Sequence, residues 1–202
     1  MLTNVGVEVK YVIGKGVITN FPGSQKMIYK AELDFDCHKS LSLFLLKDVQ
    51  NAAEIREMVT KGTLHCCVIK PCLIVHPFQI VIAANKAVIS KMQDRMTTRT
   101  LSTEILYNLS ISRNITQSLM KFGIGESDKT MLVSIIEEAG ENRSEIILSH
   151  FKGVLCPIEE LCNFSDEVLI KMAYKIKDSE LEVSSLTDSI ITRIVTSDFT
   201  SV

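Results

Sequence analysis

Apolar and polar positions along the chain set out most of its elements. In "QKMIYKAEL" (25–33) and "SLSLFLLKDV" (40–49) the apolar residues alternate or run together over strand length, with "DFDCHK" as the turn between them. "NAAEIREMVTKG" (51–62) predicts a helix. Asn51 or its neighbour caps it, Ala52, Ile55, Met58 and Val59 form its stripe, and Gly62 ends it. "CCVIK" predicts a short buried strand before Pro71. "HPFQIVIAANKAVISKM" (76–92) opens with Pro77 at a favourable first helical position. Phe78, Val81, Ile82, Val88, Ile89 and Met92 recur there at helical spacing, Asn85 interrupts them, and Ala83, Ala84 and Ala87 fill the rest. A helix apolar or small almost all round is expected to be buried on several sides.

The pattern continues with "TLSTEILYNLS" (100–110), capped by Thr100 or Ser102 with Ile105, Leu106 and Leu109 inward. "RNITQSLMKFGI" follows, with Asn114 as cap, Ile115, Leu119, Met120 and Phe122 as stripe and Gly123 as terminator. "KTMLVSIIEE" reads as a strand, "EIILSHFKG" as strand or helix, "PIEELCN" as a short helix and "SDEVLIKMAYKI" as a fuller one. In "LEVSSLTDSIITRIV", Leu186, Ile190 and Ile194 share one stripe with Val183, Ile191 and Val195 beside it, a width sufficient for core and partner together. Four or five strands, helices in the middle and at the end, and no strict βαβ alternation predict a mixed α/β (α+β) fold. It should be a single domain with a small, largely antiparallel sheet packed against a cluster of helices. Residues 1–28, Gly-rich and only weakly alternating, are expected to be a poorly ordered extension, loose hairpin or tail; 29–198 form the domain and 199–202 a tail.

With 46% hydrophobic and 23% charged residues the chain is globular in composition, and the absence of Trp makes the core aliphatic. Charge is uneven: residues 1–100 carry a net +5 and 101–202 a net −7, within an overall −2. That argues against coating nucleic acid with the whole surface and for separate basic and acidic faces. No compact basic start precedes an apolar run, and the longest apolar region, 77–90, is too short to span a bilayer, so an intracellular protein with no membrane partner is expected. Six cysteines then read as small buried hydrophobes. His65, Cys66, Cys67 and Cys72 lack a C-x-x-C pair, and a zinc site there is the remote enzyme alternative. No phosphate loop, H-E-x-x-H, G-x-S-x-G or kinase signature is present, His76 before Pro77 has no visible catalytic partner, and no cofactor is expected. A binding protein rather than an enzyme follows.

One stretch stands out chemically. "KMQDRMTTRTLSTEILYNLSISRN" (91–114) places Lys91, Arg95, Arg99 and Arg113 among hydroxyls in a slightly acidic chain. Arginine forks, threonine and serine hydroxyls and a helix N-terminus together hold phosphate well. Lys86, Lys91, Arg95, Thr98, Arg99, Ser102, Arg113 and Asn114 are therefore candidates for gripping an RNA terminus, if three helix ends converge. The plainer reading is that Arg99 pairs with Glu104 and the hydroxyls cap the helix.

The ordered series "LFLLKDVQNAAEIREMVTKG", "HPFQIVIAANKAV", "MTTRTLSTEILYNLS" and "RNITQSLMKFGI" resembles the small regulatory subunit of the KEOPS/EKC complex, the PRPK-binding protein family, from about residue 29 to 198. The resemblance implies a non-catalytic subunit of the cytoplasm and nucleus. It would bind the atypical kinase/ATPase PRPK and, through it, the threonylcarbamoyl-transferase subunit, as an allosteric effector of tRNA threonylcarbamoyl-adenosine modification. In archaeal relatives the family also helps recruit tRNA by its single-stranded acceptor end. Leu186, Ile190 and Ile194 are the first candidates for the kinase-binding face. The competing function is a protein-interaction module with no RNA contact.

Overall fold

The computed structural model describes residues 28–34, 36, 38–138, 141 and 143–199, together with the backbone of Val12–Ile13 and Gly16–Thr19. Its centre is β4 (Lys39–Lys47), whose nine residues alternate between two apolar surfaces. Along one edge it pairs from Lys39 to Leu46 with β6 (Met131–Glu138), and β6 pairs in turn with the short β5 (Cys67–Ile69). The other edge is shared. β3 (Ile28–Glu32) covers Ser40 to Leu43 and β7 (Val154–Cys156) covers Leu45 to Lys47. Beyond β3 lie β2 (Gly16–Thr19) and β1 (Val12–Ile13), and every pairing is antiparallel. The mixed α/β, largely antiparallel single domain expected from the pattern is what forms. The remaining residues of 1–28 and the last three of 199–202 lie outside the described set.

Period-two alternation sends Leu41, Leu43, Leu45 and Leu132 to one face and Phe44, Leu46, Val133 and Ile135 to the other. The second face is covered by α1 (Ala52–Lys61) and α5 (Ser144–Leu148), through Ala52, Ile55 and Ile147. Gly62, at φ 73°, closes α1 in the left-handed conformation the sequence assigned it. The undecided "EIILSHFKG" is thus α5 and a loop into β7, a strand the pattern did not show.

The first face carries α2 (Pro77–Met92), α3 (Leu101–Leu109), α4 (Ile115–Phe122), α6 (Glu167–Tyr174) and α7 (Leu186–Thr196). α2 packs against β4, α3 and α7 at once, which is why Ala83, Ala84 and Ala87 are fully buried. His76 caps it through Nδ1, accepting from the Phe78 amide. Asn85, which breaks its stripe, accepts the Asp34 amide at 2.7 Å. Buried Gln79 donates to the Tyr174 hydroxyl and the Leu73 carbonyl, and Tyr174 donates to the Leu109 carbonyl, tying α2, α3 and α6 together. On α4 the expected stripe is only partly inward. Phe122 is buried with Ser118 one turn before it, whereas Met120 is 71% exposed. Cys66 and Cys67 are core thiols, and burial pushes the Cys66 thiol up to about 12. No group of three or more His, Cys, Asp or Glu among the described residues is placed to hold a metal. No helix among them is long and apolar enough to cross a membrane.

Candidate functional site: a basic cleft and the outer face of the last helix

The chain leaves α2 by a tight reversal in which Asp94 takes the left-handed conformation and the Arg95 amide donates to the Ser90 carbonyl. What fixes the next six residues is a buried carboxylate. Glu104, 2% exposed in the first turn of α3, accepts the Thr97 and Thr98 amides at 3.0 and 2.7 Å and the Thr98 hydroxyl at 2.6 Å. Thr100 caps α3 in a reciprocal box with Thr103, whose hydroxyl also reaches Thr98. Glu104 and the hydroxyls of Thr98, Thr100 and Thr103 satisfy one another. The cations Lys91, Arg95 and Arg99 are left outward and exposed.

Opposite, a second buried carboxylate acts in the same way. Glu137 in β6 accepts the amides of Arg143 and Ser144 and the hydroxyls of Ser42 and Ser144. Arg143 donates to the Ile136 carbonyl at 3.1 Å and pairs with Glu141. Between the two walls lies a cleft of about 380 Å³. Lys91, Arg99 and Arg143 line its rim, with the Thr100–Ser102 start of α3 at one side and Cys66, Leu101, Ile105 and Ile136 as apolar wall. The Ser134 hydroxyl, buried among these lining residues, has no hydrogen-bond partner among the described residues.

Of the residues proposed from sequence to hold phosphate, Lys91, Arg99 and Ser102 line this cleft and Arg95 stands on the same loop, donating to Gln93. The others do not join them. Thr98 is spent on Glu104. Arg113 and Asn114 precede α4 at the far end of α3, a nine-residue helix about 13 Å long. Asn114 caps α4 through the Gln117 amide, and Arg113 lines a separate hollow with Ser197 and Asp198. Lys86 donates to the Ile194 carbonyl at 2.8 Å and the Ser197 hydroxyl at 2.9 Å, and pairs with Asp198 at 3.1 Å. The three helix ends therefore do not converge. Nor does Arg99 pair with Glu104, which is occupied by backbone amides. Glu137, Ser134 and Arg143 come from the sheet and the loop after it. Nothing in the local pattern links them to residues forty positions away.

The family model described as kinase binding protein CGI-121 matches residues 46–198. The chain belongs to this family. A zebrafish (Danio rerio) relative named EKC/KEOPS complex subunit TPRKB is 31% identical over 173 residues, 85% of this chain and 99% of its own length. The EKC/KEOPS complex subunit CGI121 of Coccidioides immitis is 29% identical over 65% of this chain and 67% of its own. The corresponding protein of Kluyveromyces lactis is 31% identical over 61% and 79%.

For a member of a kinase-binding family, the exposed apolar surface is the next question. Ile190 and Ile194 are 1% and 0% exposed and Leu186 is half-buried, so the stripe first proposed to meet a partner faces α2 and the core. The arc beside it is the one that reaches solvent. Ile191 is half-buried, Val195 is 47% exposed and Phe199, one further turn on, 86%. Helix α7 is fixed behind this arc by Ser185 as cap, by Lys86 at its C-terminal end and by a two-point Arg193–Glu180 pair. Arg193 holds the Glu180 carboxyl down to about 2. A second exposed apolar group, Val168, Leu169 and Met172, lies on α6.

Proposed function

We propose that this chain is a non-catalytic subunit of an EKC/KEOPS-type complex that docks the complex's PRPK-type kinase subunit on the outer arc of α7. By that contact it modulates tRNA threonylcarbamoyl-adenosine modification. Membership of a family described as kinase binding, and relatives named as subunits of that complex, support the reading. The observation that carries it is the apolar arc of Ile191 and Val195 on α7, continued by Phe199 in the turn after the helix, which reaches solvent while its neighbouring arc is buried. Exposed large apolar side chains in register supply the buried centre a stable interface needs. Changing Val195→Asp together with Phe199→Asp is expected to weaken kinase binding at least tenfold in a titration, with circular dichroism and thermal midpoint unchanged. Met172→Asp on α6 is expected to leave affinity unaltered. The reverse pattern would move the docking face to α6.

The basic cleft is the surface we assign to tRNA. Lys91, Arg99 and Arg143 are exposed on its rim, and among the described residues no carboxylate lines it. Reversing Lys91 and Arg99 to Glu should lower tRNA affinity and flatten its salt dependence by about two phosphate contacts. Unchanged affinity and slope would leave the chain a protein-interaction module with no RNA contact.

A further inference from the structure

Lys86 is a poor candidate for nucleic acid and a good one for something else. Its side chain is 18% exposed, and its ammonium meets three acceptors, the Ile194 carbonyl, the Ser197 hydroxyl and the Asp198 carboxylate. An ammonium has three protons to donate, so none is left for an outside ligand. The acceptors all belong to the end of α7, where helix carbonyls lack intrahelical partners and the macrodipole favours a cation. Lys86 itself stands on α2, the most buried helix, with Ala83, Ala84 and Ala87 around it at no exposure. Ser197 also donates to the Ile194 carbonyl, closing the ring of contacts. The segment held in this way, residues 194–198, includes Val195 and ends beside Phe199, the two most exposed apolar residues of the outer arc of α7.

We propose that Lys86 is a positioning residue for the partner surface: a clasp from α2 that sets the last turn of α7 and so presents Val195 and Phe199 together. This deepens the kinase-docking reading above and rests on it. Without the clasp the end of α7 loses its tie to α2 and keeps local contacts such as Ser197 on the Ile194 carbonyl, Thr196 on the Thr192 carbonyl and the Phe199 amide on the Thr196 carbonyl, and the two apolar residues no longer keep one relative position. Binding then has to order the segment as well as cover it.

Lys86→Met keeps the aliphatic stem and removes the ammonium. Measured on the full chain, amide exchange over residues 195–199 should rise at least tenfold, and kinase affinity should fall about tenfold. Retention of tRNA should stay unchanged. Lys86→Arg, which keeps a cation with several donors at this position, should bring affinity back to within about threefold. Ser197→Ala with Asp198→Ala removes the two side-chain acceptors from the exposed side, so it tests the clasp even if Lys86→Met does not fold, and should weaken kinase binding about threefold. Raised exchange with unaltered kinase affinity, or no change in either, overturns the proposal. So does loss of tRNA retention with kinase affinity intact, which would return Lys86 to an RNA role. If Val195→Asp with Phe199→Asp also leaves affinity untouched, the docking face rather than the clasp is what failed.

Discussion

Ile190→Arg is expected to lose a large share of the fold's stability, rather than to give a well-folded subunit deaf to its kinase. Ile190 is 1% exposed in the cluster that unites the first sheet face with α2, α3, α6 and α7. Arginine there buries a cation among apolar side chains and overfills a packed space. Either effect costs several kcal/mol, so the sum should exceed about 4 kcal/mol, a large share of the ~5–15 kcal/mol that holds a domain together. Ile190→Val, which only opens a methyl-sized gap, should cost about 0.5–1.5 kcal/mol. Chemical denaturation of the two variants beside the parent chain checks both values. An Ile190→Arg protein as stable as the parent chain would mean that α7 packs with a different arc inward. The distinction from the docking variants is sharp. One residue past the buried Ile194, at Val195, a charge lands in water and should leave stability nearly unaltered.

That one-step difference shows where the sequence stops being informative. The stripe Leu186, Ile190, Ile194 and the arc of Ile191, Val195, Phe199 are both apolar at four-residue spacing. Periodicity therefore announces an amphipathic helix wide on its apolar side but cannot rank the two arcs. The ranking is made by α2, which approaches from one side only. The same ambiguity misplaced Met120: α4 turns Ser118 and Phe122 inward, and the methionine is left outside. Where burial is nearly complete, as on α2, no arc has to be chosen and the pattern sufficed. Strand β7 was invisible for a different reason. Its three residues complete the β4 edge that β3 leaves open beyond Leu43, a purely tertiary demand. The cleft divides likewise. Lys91, Arg99 and Ser102 sit in one contiguous basic, hydroxyl-rich stretch and could be seen there. Arg143, from the other wall, is brought across only by the pairing of β4 with β6 and by Glu137 beneath its loop.

Glu104→Leu separates geometry from charge in that cleft. Three hydrogen bonds converge on this buried carboxylate, two of them from amides that have no other acceptor in the loop. Hydrogen bonds to a charged group are worth roughly 1.5–3 kcal/mol each, offset here by the desolvation relieved when the carboxylate goes, so the net loss of stability should be about 2–4 kcal/mol. The loop carrying Arg95 and Arg99 should loosen with it, seen as faster amide exchange over residues 95–100. For tRNA the two accounts predict opposite signs. If the cleft attracted RNA by net charge alone, deleting an acid would tighten binding slightly. If the loop must hold Arg99 across from Arg143, binding should weaken about tenfold although every cation is still present, because ordering the loop becomes part of the binding step. Tighter binding by Glu104→Leu would show that the carboxylate serves the fold and not the presentation of the basic rim.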